Sequence, residues 1–131
     1  MSSQGNDFQR NGTSGQRTVC PVCTHHCTLA EGQYGRCRVR KNVNGQVTGV
    51  NYGKVTALML DPIEKKPLRR FFPGNMILSV GSFGCNLSCP FCQNHEISMA
   101  GETGTAWKAL SPAELADLAV RYRRRGNLGV A

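Results

Sequence analysis

No apolar run in this 131-residue sequence approaches the length of a membrane-spanning helix, which takes about 20 residues. Residues 1–19 are polar, with Ser, Gln, Asn, Gly and two Arg, and they lack the apolar core of a secretory signal peptide. Their composition predicts a flexible tail over residues 1–19. These absences argue against a membrane protein and against export, and they favour the cytoplasm.

Acidic residues are also scarce, since 8 Asp and Glu stand against 16 Lys and Arg and leave a net charge of +8. A basic surface suits nucleic acid or an acidic protein partner. However, much of the charge falls at the end of a predicted helix, where cations complement the helix dipole and face solvent. These residues are Arg121, Arg123, Arg124 and Arg125. The distribution therefore disfavours nucleic acid as a partner.

The seven cysteines form an odd number and all lie between residues 20 and 92. An odd count without an export signal argues against a fully paired disulfide framework. The cysteines instead fall into two groups, four near the N-terminus and three at residues 85–92. Every cysteine is therefore a candidate metal ligand, which suits a reducing compartment.

Three of these cysteines lie on one short segment with the spacing C-x3-C-x2-C. They are Cys85, Cys89 and Cys92, and Phe91 directly precedes the last of them. Three thiolates on one loop can hold three corners of a [4Fe-4S] cluster, whereas an electron-carrier cluster usually takes four cysteines. The fourth iron would then be open to a substrate or cofactor. A zinc knuckle is the alternative, but structural zinc takes four ligands and only His95 lies close enough in sequence to complete the set.

This segment resembles the signature of the radical S-adenosylmethionine (SAM) superfamily, C-x3-C-x-aromatic-C. A longer series of motifs is similar to the AmmeMemoRadiSam system radical SAM enzymes, which are relatives of the pyruvate formate-lyase activating enzymes. The likeness runs from about residue 20 to residue 131. The motifs that carry it lie at residues 61–68, 72–74, 79–86, 92–94 and 96–98.

The resemblance implies that Cys85, Cys89 and Cys92 hold the [4Fe-4S] cluster and that Phe91 lies against the adenine of SAM. The reduced cluster would cleave SAM to methionine and a 5′-deoxyadenosyl radical, which abstracts hydrogen from a substrate. A flavodoxin or ferredoxin would supply the electron, and a glycyl-radical protein is one candidate substrate. From the residues alone, Phe91 could instead be an ordinary core aromatic.

Four further cysteines, Cys20, Cys23, Cys27 and Cys37, have the spacing C-x2-C-x3-C-x9-C. Four thiolates on a short Gly-containing segment suit tetrahedral zinc or a second iron–sulfur cluster. His25 or His26 could replace one of the ligands, and a segment without metal is the third possibility.

Residues 20–75 are predicted to form a Cys-rich module with short strands. Strands at 38–40 and 46–50 flank Asn44-Gly45, a strong tight-turn pattern. A third apolar segment covers 55–60, and a proline-bounded connection follows over 61–73. Within that connection, Lys65 or Lys66 is a candidate for approaching the cofactor or the substrate, and the alternative is that both are simply solvated.

Residues 76–131 are predicted to begin a βα repeat. A buried parallel strand over 76–80 leads into the cysteine loop, where Gly81 and Gly84 would let the backbone approach the cluster and free N–H groups to point at its sulfides. Gln93 and Asn94 would either bond near the cluster or cap the next helix.

Ser111 begins a second helix, with proline and glutamate in the pattern of a capping box, and Gly126 ends it. Another strand starts at residue 128.

The fold class is therefore α/β: the start of a radical SAM partial (β/α)6 barrel behind a small Cys-rich module. Six βα units need about 190 residues, so residues 76–131 supply fewer than two. We read the chain as an N-terminal fragment that stops inside the second barrel strand and is inactive alone. Two other functions stay open: a zinc-stabilised basic module that binds nucleic acid or an acidic protein, and a plain electron carrier.

Overall fold

The computed structural model describes residues 17–68 and 70–131, so most of the predicted tail lies outside the described residues. Residues 18 and 19, which were assigned to that tail, form a strand. The strands are β1 (Thr18–Val19), β2 (Thr28–Leu29), β3 (Arg40–Val43), β4 (Gln46–Gly49), β5 (Lys54–Val55), β6 (Ala57–Pro62), β7 (Met76–Gly81), β8 (Lys108–Ala109) and β9 (Asn127–Val130). The α-helices are α1 (His95–Ser98) and α2 (Pro112–Arg121), and short 3-10 helices cover Ile63–Lys65 and Tyr122–Arg125.

The predicted hairpin around Asn44-Gly45 is confirmed, because β3 and β4 pair antiparallel on either side of these two residues. Both turn residues have positive φ, 53° at Asn44 and 80° at Gly45, as a two-residue hairpin turn of this kind requires. The first strand was placed too early, at 38–40. Arg38 has a φ of 64°, which a strand does not allow, and β3 begins only at Arg40.

A three-stranded sheet in the order β6-β7-β9 positions the cysteine loop. The β6 and β7 strands pair antiparallel over six residues, and β7 and β9 pair in parallel. The sheet thus crosses the predicted module boundary at residue 75. The prediction that the connection starts at Asp61 was wrong, since the ladder continues to Pro62, and an edge strand tolerates proline at its end.

Helix α2 lies between the parallel strands in sequence and begins as predicted. The Ser111 hydroxyl accepts from the Glu114 N–H at 3.2 Å, and the Glu114 carboxylate accepts from the Ser111 N–H at 2.8 Å. The α-helix ends at Arg121, earlier than predicted, and a 3-10 turn carries the chain to Gly126, which has a φ of 81°. This β7–α2–β9 arrangement is one parallel βαβ unit, and the described strands do not close into a barrel.

The longest helix in the described part of the chain is α2, whose ten residues cannot cross a membrane.

Asn127, the first residue of β9, is a buried polar residue that joins helix α2 to the sheet. The Asn127 side chain accepts from the Leu78 N–H at 2.8 Å and donates to the Ala119 carbonyl at 2.9 Å. It does so where the register between β7 and β9 is irregular, so it replaces a missing ladder bond.

We expect Asn127→Ala to lower the free energy of unfolding by about 1–3 kcal/mol, because the buried Leu78 N–H would lose its acceptor. Denaturant unfolding of the chain measures this. Asn94→Ala is the matched control, since Asn94 is exposed and its side chain makes no capping bond to α1. Equal effects of the two substitutions would show that the Asn127 bonds contribute no stability.

Candidate metal centre

The cysteine loop leaves the carboxyl end of β7, as predicted, and its first residues are anchored in the core. Phe83 is 1% exposed and packs with Val39 and Ala100 in a buried cluster. The Phe83 carbonyl also accepts from the Asn51 side chain at 3.3 Å. The core therefore joins the loop to the end of the β3–β4 hairpin rather than to the sheet alone.

Gly84 follows with a φ of 86° and lies in very close contact with the N-terminal part of the chain. A Cβ at this position would lie 2.3 Å from Cγ1 of Val39 and 2.7 Å from the carbonyl oxygen of Cys37. The Gly84 N–H donates to the Ile97 carbonyl at 2.9 Å, which closes the loop that contains the three cysteines. The N–H of Gly84 itself is therefore bonded within the loop, and a close approach of the glycine backbone to a cluster stays a prediction.

Gly81 makes a close contact within the sheet that was not predicted. It ends β7 opposite Ala57, and a Cβ on Gly81 would lie 3.4 Å from the Ala57 Cβ. The close approach at Gly81 is therefore between two strands of the sheet.

The three loop cysteines are free thiols of intermediate exposure. Sulfur of Cys85 accepts from the Leu87 N–H at 3.4 Å, and sulfur of Cys92 lies 3.4 Å from the Ser98 hydroxyl. The Cys92 N–H donates to the Cys89 carbonyl at 3.2 Å and forms a tight turn between these two residues. Hydrogen bonds to sulfur are among the features that set the properties of iron–sulfur sites.

The type and number of the ligands fit an iron–sulfur cluster, because three accessible thiols lie within eight residues. The Gly84–Ile97 hydrogen bond closes the loop that contains them. The side chains themselves are not gathered around one point. Across residues 17–68 and 70–131, no group of three His, Cys, Asp or Glu side chains is arranged to hold a metal ion. Ligation therefore requires the thiols to turn toward a common centre.

Phe91 is 86% exposed, so it is not the core aromatic that its residue type alone allows. His95 is exposed at the first residue of α1, and Asn94 occupies the N-cap position without a side-chain bond.

A second feature is a cavity of about 410 Å³ beside the loop. Its wall includes all four N-terminal cysteines, Cys20, Cys23, Cys27 and Cys37, and also Cys85 of the loop. His25 lies on the same wall, and its Nε2 is 2.8 Å from the Asn86 carbonyl oxygen. The two cysteine groups thus share one cavity, although Cys37 and Cys85 are 48 positions apart in the sequence. Cys89 and Cys92 are not part of its wall.

The register of the sheet places Lys65 and Lys66 away from the cysteine loop. Asp61 pairs with Ile77 near the start of β7, and at about 3.3 Å per residue the strand end at Gly81 lies about 13 Å further on. Lys65 instead donates to the Asp61 carboxylate at 2.9 Å and lowers the pKa of that group. The two lysines are therefore at the opposite end of β7 from the candidate metal centre.

Two contacts at the site were missed from the sequence. The His25–Asn86 bond spans 61 residues, and no local pattern indicates it. Glu102 pairs with Lys54 and accepts from the Tyr34 hydroxyl at 3.4 Å, so it joins the segment after α1 to the N-terminal part. The Lys54 ammonium lowers the pKa of Glu102. Both contacts fix the surroundings of the loop through residues distant in sequence.

Comparison with known proteins finds an uncharacterized protein of Methanocaldococcus jannaschii that is 41% identical over 107 residues. The match covers 82% of this chain but 32% of that protein, so the chain spans about a third of the relative's length. No protein-family model matches the chain. No solved structure matches it either. The chain is thus similar to part of a longer archaeal protein whose description names no activity.

Proposed function

We propose that this chain carries the cluster-binding part of a radical SAM enzyme, related to the activating enzymes of glycyl-radical proteins. The observation that supports this most directly is the loop of Cys85, Cys89 and Cys92, with Phe91, at the carboxyl end of a strand that pairs in parallel. Chemistry in α/β proteins is commonly placed at this end of parallel strands.

Cys85, Cys89 and Cys92 would hold a [4Fe-4S] cluster, and three protein ligands would leave part of the cluster open to SAM. The bound cluster and SAM would together supply one-electron radical chemistry for hydrogen abstraction from a substrate. Protein side chains orient the bound groups and exclude water.

Particular residues of the chain perform this orienting role. Phe83 in the core and the Gly84–Ile97 bond fix both ends of the loop. The exposed ring of Phe91 offers an apolar surface to the adenine of SAM.

The basic composition fits an acidic flavodoxin or ferredoxin as the reductant, because opposite charges steer association. A glycyl-radical protein is the proposed substrate class. We also propose that the enzyme works in a reducing cytoplasm, because an odd number of cysteines without an export signal argues against a fully paired disulfide framework. Further strands would supply the other SAM contacts, so the 131-residue chain alone is proposed to be inactive in turnover.

The test is the iron and sulfide content of the chain after anaerobic reconstitution. We expect about four iron and four sulfide per chain, and Cys85→Ala, Cys89→Ala and Cys92→Ala each to lose nearly all of both. Ser88→Ala is the matched control on the same loop and should keep them. Retention of full iron in the three cysteine variants, or tightly held zinc in place of iron, would refute the proposal and favour the zinc-stabilised binding module.

A further inference from the structure

The N-terminal cysteines are brought together by a short hairpin. The β1 and β2 strands pair antiparallel, and the next residues continue the pairing, since the Cys20 N–H donates to the Cys27 carbonyl at 2.9 Å. Within the hairpin the Cys23 carbonyl accepts from the His26 N–H at 3.1 Å and forms a tight turn. The hairpin thus brings Cys20, Cys23 and Cys27 together within one eight-residue segment.

Cys37 is added from a second turn that packs on the first. The Gly35 N–H donates to the Arg40 carbonyl at 2.7 Å, and the Arg38 N–H donates to the Gly35 carbonyl at 2.9 Å, so the chain reverses around Cys37. Gly35 is buried, and a Cβ there would lie 3.7 Å from the Cys27 sulfur. The two turns are therefore in contact, and the four thiols line the same cavity.

We propose that Cys20, Cys23, Cys27 and Cys37 bind one structural zinc ion, separate from the cluster that the loop cysteines hold. Four thiolates satisfy the tetrahedral preference of zinc, and a C-x2-C pair is a typical zinc hook. Arg36 and Arg40 lie on the cavity wall and offset the negative charge that four thiolates gather. The site thus has ligands of the right number, type and local charge.

The N-terminal part, residues 17–50, has a small core, so a bound metal would contribute a larger share of its folding free energy than in a larger domain. In residues 17–50 the buried apolar side chains are those of Cys20, Leu29 and Val39. A segment with so small a core gains folding free energy from a bound metal. Because the thiols line the cavity without meeting at one point, zinc binding is expected to reorder them and to raise the stability of this part.

The zinc site supports the loop directly, since the Cys37 carbonyl and Val39 are the groups on which Gly84 rests. A metal at Cys37 fixes the wall against which the loop packs. Cys85 lies on the wall of the same cavity because the loop packs against this part of the chain. We assign Cys85 to the cluster and not to the zinc site.

The test measures zinc in the whole chain, prepared with zinc and without iron or sulfide. We expect about one zinc ion per chain, and Cys23→Ala and Cys37→Ala to hold almost none. Cys89→Ala is the matched control and should keep the ion. Because the loss of zinc is expected to destabilise the alanine variants, Cys37→His gives a second check: it restores a zinc ligand and should recover the ion.

Cobalt substitution adds a readout that does not depend on enzyme activity. Cobalt in place of zinc should give the absorption of a tetrahedral thiolate site in the chain and in Cys89→Ala, but not in Cys23→Ala. Zinc retained in Cys23→Ala and Cys37→Ala, zinc lost in Cys89→Ala, or iron and sulfide held by the N-terminal cysteines after reconstitution would each overturn the proposal. None of these results depends on whether the loop cysteines bind their cluster.

Discussion

Phe83→Ala is expected to lower the free energy of unfolding by about 3–5 kcal/mol, the range for removing a buried phenylalanine from a core. Phe83 is 1% exposed and lies in the cluster that joins the cysteine loop to the hairpin end. Removing the ring leaves a cavity between Val39 and Ala100 that the short elements around it cannot fill. Denaturant unfolding, followed by far-UV circular dichroism, measures the change.

Phe91→Ala provides a matched control on the same loop, because Phe91 is 86% exposed. Its removal should change the free energy of unfolding by less than about 0.5 kcal/mol. The pair separates the two roles assigned to the loop aromatics, with Phe83 as the anchor and Phe91 as the contact to SAM. If the two variants lost similar stability, the anchoring role of Phe83 would be wrong.

Gly84→Ala should cost about 3 kcal/mol, for two physical reasons. An L-residue at a φ of 86° costs about 1–2 kcal/mol, and overpacking typically adds about 1–3 kcal/mol. The added Cβ would lie 2.3 Å from Cγ1 of Val39, and the Cys37 carbonyl behind it is backbone that cannot turn away. The loop or the hairpin must therefore shift.

Gly74→Ala isolates the second reason. Gly74 has a similar φ of 82°, but nothing lies within 4 Å of a Cβ built there. Gly74→Ala should therefore show the backbone cost alone, about 1–2 kcal/mol. The difference between the two variants measures the contact between Gly84 and the N-terminal part. Equal losses would mean that the loop does not pack on Val39 and Cys37 as described.

The features that could be predicted from the sequence are those that residues close together in the sequence determine. Asn44-Gly45 fixes the hairpin because both residues accept positive φ, and the Ser111–Glu114 capping box fixes the start of α2. The strand before the cysteine loop also followed from its apolar residues. In each case the determining residues lie within a few positions of one another.

The features that could not be predicted from the sequence depend on contacts between residues far apart in the sequence. The pairing of β6 with β7 crosses the connection over 63–75, and no local pattern states its register. That register carried Lys65 to the far end of β7. Gly84 was predicted to approach a cluster, but its close contact is with Val39, a residue 45 positions earlier, and sequence spacing gives no information on such packing.

The most direct test of the proposed function is electron paramagnetic resonance of the reconstituted, reduced chain with and without SAM. Three cysteine ligands leave one iron open, so the cluster signal should shift when SAM is added and should be absent in Cys85→Ala. A cluster signal that stays identical although equilibrium dialysis shows SAM bound to the chain would contradict an open iron and would point to a plain electron carrier.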